Sequence, residues 1–487
     1  MAVVPTPQAA PANPPKHGSV LSVWTPEDRD FWRTQGQAIA ATNLWISVPA
    51  LFLAFAVWQL WSVAAVNLNA LGFRFTTNQL FWLAAAPALS GATLRIFYSF
   101  IVPVFGGRRW TAISTASLLI PAIGIGIAIQ DPSTTYPTFL ALALLCGLGG
   151  GNFSSSMANI NFFFPKERKG SALGVNAGLG NLGVSVVQFL SPMVITLGIF
   201  GVLGGDPQTI VAKGGQESQV WAQNAAFIWV PWIILASLAA WFFMNDIADA
   251  QSSFTDQAVI FKRKHNWLMC LLYLGTFGSF IGYAAGFPLL IKSQFPGINP
   301  LQFAWLGPLV GAVIRPFGGW LSDKLGGATV TLWNFVVMAL AVVGVLYFLP
   351  KGAAGALSLP WGPSGGSFAG FFVMFLLLFL TTGIGNGSTF RMIPVIFMTE
   401  RQREAAGRGP AEQEKAIKDG NREAAAVLGF SAAIAAYGGF FIPKSYGTSI
   451  TLTGGPEGAL YVFIAFYLIC IAVTWWTYAR RGAQMPC

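Results

Sequence analysis

The sequence predicts an all-α integral membrane protein with twelve transmembrane helices arranged as two pseudo-symmetric six-helix halves. Only 9% of its 487 residues are charged and 54% are hydrophobic, whereas a soluble protein carries about 25% charged residues. The apolar runs are long and continuous and do not alternate, which favours helices over a membrane β-barrel. Motifs in the first half of the chain recur in the same order in the second half, which predicts the two halves.

Twelve runs are long enough to cross a bilayer if a span needs roughly 20 apolar residues. We number them span 1 to span 12, and they cover residues 43–66, 78–102, 109–129, 136–164, 170–200, 222–244, 266–292, 299–322, 328–349, 367–398, 424–447 and 457–479. The predicted organisation is therefore an N-terminal tail 1–42, an N-terminal half 43–244, a linker 245–265, a C-terminal half 266–479 and a C-terminal tail 480–487.

The distribution of basic residues predicts the orientation. Twenty of the 28 Lys and Arg residues lie in the two tails and in the loops on the same side, and five lie in the opposite loops. Because loops rich in Lys and Arg stay in the cytoplasm, we expect both termini to be cytoplasmic. The orientation in the membrane thus accounts for the net charge of +10, and no nucleic-acid partner is predicted.

The sequence contains no pattern typical of a metal site, a cofactor site or an enzyme. The longest insertion on the side of the termini, residues 399–423, has neither a nucleophile–base pair nor a nucleotide motif. We predict no metal, no disulfide and no catalytic residue, because no metal-ligand spacing is found among the four cysteines, Cys146, Cys270, Cys470 and Cys487.

Three basic residues fall inside predicted spans, namely Arg95, Arg315 and Arg391. A charge within a membrane marks a functional site by default, because its burial is costly. No Asp or Glu falls well within a span, and the two histidines lie in a tail and a loop. Arg391 lies close to the cytoplasmic end of span 10, where it is expected to snorkel or to line an inner vestibule.

A repeat relates the other two arginines. Arg95 and Arg315 each stand 11 positions before a Gly-Gly pair, so they occupy equivalent depths in spans 2 and 8. The segment GGGNFSS at 149–155 likewise corresponds to GIGNGST at 383–389. Two halves related in this way predict a transporter whose site lies at their interface.

Two arginines that face a central cavity without a carboxylate need an anion, since like charges repel strongly at low dielectric. The guanidinium fork of donors suits a planar oxyanion better than a halide. Phe153, Tyr273 and Phe277 could wall this site, although packing in a helical bundle would also account for each ring alone.

The glycine-rich stretch 147–183 predicts two helices whose small residues let neighbouring backbones approach and slide. Ordinary glycine packing in a membrane bundle is the alternative explanation.

Specific segments carry a resemblance to a known family. The segment GGWLSDKLGG at 318–327 is similar to the loop motif of the major facilitator superfamily. From about residue 24 to residue 481 the chain resembles the nitrate/nitrite porter family, in particular its respiratory NarK type. The matching segments include NLWIS at 43–47, VFGGRRW at 104–110, TFGSFIG at 276–282 and GGFFIPK at 438–444.

The resemblance implies roles for individual residues. Arg95 and Arg315 match the family's two substrate-clamping arginines, and the positions that surround the anion match Phe153, Asn181, Tyr273 and Phe277. Residues 170–182 and 429–441 match the two nitrate-signature stretches. The glycines expected to allow helix movement lie in these stretches or, for Gly183, directly after the first, and they are Gly170, Gly174, Gly178, Gly180, Gly183, Gly429, Gly438 and Gly439. The chain departs from the family at Ala177, Ala432 and Arg391.

The resemblance also implies a monomeric transporter in the inner membrane of a prokaryote that moves nitrate and nitrite by alternating access. An empty site would press two unpaired guanidinium groups together during closure, and the spans lack a carboxylate or histidine proton carrier. Both observations favour nitrate/nitrite antiport. A nitrate/proton symporter of the same family and an anion channel are the alternatives.

Overall fold

The computed structural model describes residues 17–99, 101–211, 217–248, 258–350, 363 and 365–487. Within these residues, eleven helices are long and apolar enough to cross a membrane, which confirms the predicted all-α membrane protein. Residues 1–16 of the predicted N-terminal tail and 249–257 of the predicted linker lie outside the described residues.

The N-terminal half contains spans 1 to 6, several of which consist of more than one helical segment. Its α-helices, including those of the preceding segment, are Arg29–Phe31, Gln37–Trp58, Trp61–Asn67, Thr77–Tyr98, Val102–Phe105, Gly107–Ser117, Leu119–Ala128, Tyr136–Phe163, Lys166–Val194, Asn224–Phe227 and Val230–Phe243. A π-helical turn at Trp32–Gly36 precedes span 1, and short 3₁₀ turns form at Leu68–Leu71 and Gly201–Gly204.

The C-terminal half contains spans 7 to 12. Its α-helices are Lys264–Tyr273, Ser279–Gln294, Leu306–Val313, Arg315–Leu325, Gly327–Phe348, Phe368–Glu404, Pro410–Ala436, Gly438–Thr453 and Glu457–Thr474. Its π-helical turns are Leu274–Gly278 and Trp475–Ala479, and its 3₁₀ turns are Ala258–Lys262 and Pro300–Gln302.

Span 8 is broken, whereas the sequence predicts one run over residues 299–322. Two helices, Leu306–Val313 and Arg315–Leu325, replace it. Pro316 stands in the first turn of the second helix, where its missing N–H removes no helical hydrogen bond but its ring prevents the first helix from continuing smoothly. The break therefore places Arg315 at the start of a helix, inside the predicted span 8.

Two small sheets lie outside the spans and have no counterpart in the predicted elements. Strand β1, Val20–Leu21, pairs in parallel with β4, Asp246–Ile247. Strand β2, Gln208–Val211, pairs antiparallel with β3, Glu217–Val220. The first sheet joins the N-terminal segment to the start of the linker.

The two halves are joined at the end of the bundle opposite the termini. The side chain of Gln188 in span 5 donates hydrogen bonds to Ser62 Oγ at 3.0 Å and, across the interface, to the Ala284 carbonyl at 2.8 Å. Ser185 Oγ donates across the interface to the Trp305 carbonyl at 2.9 Å. Towards the terminal side, a Cβ added to Gly174 in the same helix would meet no described atom within 4 Å.

Candidate functional site

Arg95 lies in span 2 at the interface of the halves and is fully buried. Its Nε donates to the Gly150 carbonyl at 2.8 Å in its own half, and Nη1 donates to the Ala432 carbonyl at 3.0 Å in the other half. A Cβ at Gly150 would approach Gly91 Cα in span 2 to 2.8 Å, so these glycines bring spans 2 and 4 close enough for the first bond. Nη2 has no described hydrogen-bond partner.

Aromatic rings surround the Arg95 guanidinium. Its Cζ lies 4.7 Å from the ring centroid of Phe153, 5.0 Å from that of Trp58 and 5.2 Å from that of Phe277. Ring faces attract a cation most strongly where water is excluded. The rings and carbonyls therefore stabilise a buried charge while one edge of the guanidinium is left without a partner.

Arg315, which belongs to the C-terminal half, also lies beside the Phe277 ring. Its Cζ lies 4.5 Å from the ring centroid of Phe280 and 5.5 Å from that of Phe277. Its Nε and Nη2 are buried without a described partner. Two positive groups thus lie within 5.5 Å of the Phe277 centroid, an arrangement that an anion would stabilise and a cation would not.

Three rings of span 7 form one aromatic wall. The Phe277 ring stacks with that of Tyr273 at a centroid distance of 5.5 Å and with that of Phe280 at 6.5 Å. Across the interface it stacks with Phe153 at 6.4 Å and an interplanar angle of 26°. The π-helical turn at Leu274–Gly278 lies within this wall, and such turns are frequent at functional sites.

Two asparagines related by the repeat add polar groups. Tyr273 donates to Asn386 Oδ1 at 3.1 Å, which leaves Asn386 Nδ2 without a described partner. Asn152, its counterpart in span 4, is buried and has an unpartnered Oδ1. A buried amide group without a hydrogen-bond partner costs free energy. These two amides therefore mark places where a polar ligand would be stabilised.

The structure brings together Arg95, Arg315, Phe153, Tyr273 and Phe277, which the sequence predicted as one site. Asn181, the sixth predicted residue, is buried and donates to the Ala177 carbonyl of its own helix at 2.6 Å, with Oδ1 unpartnered.

The signature glycines fall into two groups. Gly180, Gly183, Gly438 and Gly439 lie in tight packing, since an added Cβ would overlap span 1 at the first two, the Gly278 backbone at the third and Ala88 at the last. In contrast, an added Cβ would have free space, with no described atom closer than 4.0 Å, at Gly170, Gly174, Gly178 and Gly429.

Several residues that contact the two arginines or Tyr273 were not predicted as site residues. They are Trp58, Gly150, Phe280, Asn386 and the carbonyl of Ala432. The repeat contained a signal for Asn386, and helical spacing from Phe277 contained one for Phe280. Nothing in the sequence indicated that a backbone carbonyl would accept from Arg95.

Arg391 is found in an ion pair. Its Nε lies 2.8 Å from Asp323 Oδ1, and the two side chains are 32% and 66% exposed. The sequence placed this arginine near the cytoplasmic end of span 10 as a snorkelling or vestibule-lining residue. The carboxylate partner shows that its charge is compensated locally, unlike that of Arg95.

Comparisons with known proteins agree with this architecture. Residues 38–411 match the Major Facilitator Superfamily. The chain is 52% identical over 464 residues to the nitrate/nitrite transporter NarU of Escherichia coli (strain K12), covering 95% of this chain and 96% of that protein. It is 40% identical over 475 residues to the probable nitrate/nitrite antiporter NarK2 of Thermus thermophilus, covering 96% and 99%.

Solved structures with little sequence identity share the fold. A bacterial homolog of the human lysosomal transporter Spinster, in an inward-facing and occupied conformation, superimposes with a TM-score of 0.55 at 13% identity, covering 88% of this chain and 95% of that one. The nucleoside transporter NupG gives a TM-score of 0.54 at 11% identity, covering 89% and 98%. By its family match and its relatives, the chain belongs to the nitrate/nitrite porter family of the major facilitator superfamily.

Proposed function

We propose that this multi-pass inner-membrane protein transports nitrate and nitrite by alternating access and exchanges one anion for the other. The observation that carries the proposal is the arginine pair, Arg95 buried and Arg315 half-buried, whose buried and unpartnered N–H groups lie around the Phe277 ring. Nitrate and nitrite are flat oxyanions that can accept the parallel bonds of a guanidinium fork. The relatives named as nitrate/nitrite transporters support this substrate class.

Each site residue has a proposed role. Arg95 and Arg315 clamp the anion from the two halves, and Phe153 and Phe277 stack on its faces and exclude larger substrates. Tyr273 is held by Asn386 at the edge of this slot. Asn181 approaches the anion when span 5 moves towards the opposite half.

The proposed conformational cycle uses the two halves, residues 43–244 and 266–479, as bodies that rock about the site, with residues 245–265 as their linker. The present state is closed opposite the termini, where Gln188 bonds to the Ala284 carbonyl, and we propose that the path opens on the terminal side. The excess of basic residues supports a cytoplasmic location for that side. The free edge of span 5 at Gly174 and Gly178 would close against the C-terminal half.

Exchange follows from the electrostatics of the site. Closure without substrate would complete the burial of two guanidinium groups that both face the Phe277 ring, and desolvating unpaired charges is costly. A bound anion offsets part of this charge, so the loaded transporter changes state faster than the empty one. The protein is proposed to act as a monomer, without catalytic chemistry, a cofactor or a nucleic-acid partner.

Counterflow tests this proposal. Purified protein is reconstituted into liposomes that are loaded with nitrite, and the initial uptake of labelled nitrate is measured. We expect rapid uptake that requires internal nitrite or nitrate. Rapid uptake into vesicles without either anion, driven by a pH gradient, would replace antiport with proton symport. Flux that neither saturates nor needs a counter-substrate would replace it with a channel.

A further inference from the structure

Two lysines cross the interface of the halves at the end opposite the termini. Both belong to the C-terminal half, Lys292 to span 7 and Lys444 to span 11. The Lys292 ammonium donates to the Val66 carbonyl in span 1. The Lys444 ammonium donates to Asn78 Oδ1 in span 2 at 3.1 Å.

Neutral groups provide all the described contacts of these ammonium groups. Lys444 also donates to Thr448 Oγ1 of its own helix at 2.6 Å and lies 5.1 Å from the ring centroid of Trp82. The hydrogen-bond partners of Lys292 and Lys444 are carbonyl, amide and hydroxyl oxygens, and no carboxylate of a described residue is among them. The two positive charges are therefore held in place without being neutralised.

Opening of this side would break these contacts, because each lysine lies on one half and Val66 or Asn78 lies on the other. The two ammonium groups would then line the mouth of the open path with no acidic partner. A cleft lined by charges of one sign raises the local concentration of small ions of the opposite sign. A carboxylate partner would cancel this field and repel the substrate.

We propose that Lys292 and Lys444 form an anion-recruiting site for small monovalent oxyanions at the mouth opposite the termini. When this side is closed, the two ammonium groups donate hydrogen bonds to oxygen atoms of the N-terminal half. When this side is open, the ammonium groups are free to attract the incoming anion. The inference rests on the proposed function, because it requires that this side opens.

Charge variants in membrane vesicles of both orientations test the site. Nitrite-loaded vesicles from a host without its own nitrate transport receive labelled nitrate at about 20 mM and about 200 mM salt, since the Debye length falls several-fold over this range. The variants are Lys292→Gln with Lys444→Gln, and Lys292→Arg with Lys444→Arg. Arg74→Gln is the matched control, because Arg74 is exposed on the same side of the bundle, in the loop before span 2.

At low salt we expect the double Gln variant to raise the KM for nitrate about fivefold when nitrate is offered at the face opposite the termini. The rise should disappear at high salt and be absent when nitrate is offered at the other face. The double Arg variant should retain the wild-type KM, because it keeps both charges.

Other outcomes overturn the inference. A double Gln variant with the KM and salt dependence of Arg74→Gln would show that the lysines recruit nothing. A raised KM that persists at high salt and is shared by the double Arg variant would reduce the lysines to a mechanical contact. Wild-type protein that fails to exchange nitrate for nitrite would instead refute the proposed function, so the two failures can be told apart.

Discussion

Tyr273 and Asn386 are joined by a hydrogen bond of 3.1 Å between the phenol and Oδ1. Both side chains are buried, and they come from spans 7 and 10 of the same half. Because the Tyr273 ring stacks with Phe277, this bond orients the aromatic wall that both arginines face. The wall is thus fixed by a polar contact as well as by packing.

We expect Tyr273→Phe to weaken nitrate binding without abolishing exchange. The substitution leaves Asn386 Oδ1 buried without a partner, which costs about 1–3 kcal/mol, and it frees the ring to shift. We expect the shifted ring to cost nitrate binding about 1.4 kcal/mol, which would raise the KM for nitrate in counterflow roughly tenfold. The control is Tyr283→Phe, which removes another tyrosine hydroxyl of span 7. In the wild type that hydroxyl bonds to the Tyr467 hydroxyl at 2.5 Å.

The pH dependence of this variant separates antiport from proton symport. If the Tyr273 hydroxyl does not relay protons during transport, the ratio of the exchange rate at pH 6 to that at pH 8 should be the same in the variant and the wild type. Loss of a pH-gradient-driven uptake specifically in Tyr273→Phe would assign the phenol to proton transport.

Arg95→Lys is expected to lose most of the transport. Arg95 uses Nε and Nη1 on two carbonyls and keeps Nη2 free, whereas a lysine has one nitrogen for all three tasks. Arg315→Lys should behave alike, since it loses two buried donors. The measurements are nitrate binding and counterflow, with Arg109→Lys as control because that side chain is 55% exposed. Wild-type nitrate affinity in either site variant would refute the clamp.

The sequence predicted the features that depend on composition and order. A charge census identified Arg95 and Arg315, because a charge in an apolar run is visible without coordinates. The repeat placed them at equivalent depths, and the structure indeed brings both to Phe277. Such a placement requires only helix formation and the pairing of two halves.

Features that depend on helix rotation and local breaks were not predictable. The break before Arg315 lies within a run that the sequence predicts as one continuous span, and a proline within a span does not by itself break it, as Pro87 inside the helix of span 2 shows. The bond from Arg95 to the Ala432 carbonyl depends on how far spans 2 and 11 approach each other, and a backbone acceptor leaves no mark on the side-chain pattern.

The signature glycines should respond differently to substitution by alanine. A Cβ at Gly438 would overlap the Gly278 backbone, whereas one at Gly178 would meet no described atom within 4 Å. We expect Gly438→Ala to lower the free energy of unfolding by about 1–3 kcal/mol, as overpacking does. Gly178→Ala should leave it unchanged and slow exchange, because the added methyl obstructs closure of span 5.

Thermal unfolding in detergent and counterflow rates together check this difference. Two results would contradict the assignment of Gly178 to a moving edge: a loss of stability equal to that of Gly438→Ala, or an exchange rate equal to that of the wild type. A stable Gly438→Ala protein would contradict the close contact between spans 7 and 11.

Arg391→Gln should be mild, because its ion pair with Asp323 is partly exposed to solvent and such pairs contribute about 0–1 kcal/mol. Glu423→Gln provides the contrast. That carboxylate is 4% exposed and pairs with Arg263 and Arg401, and removing one partner of a buried pair costs about 3–5 kcal/mol. Unfolding of the two purified variants should therefore differ clearly, while nitrate exchange by Arg391→Gln stays within about twofold of wild type. Complete loss of exchange in Arg391→Gln, with stability retained, would place this arginine on the path of the anion.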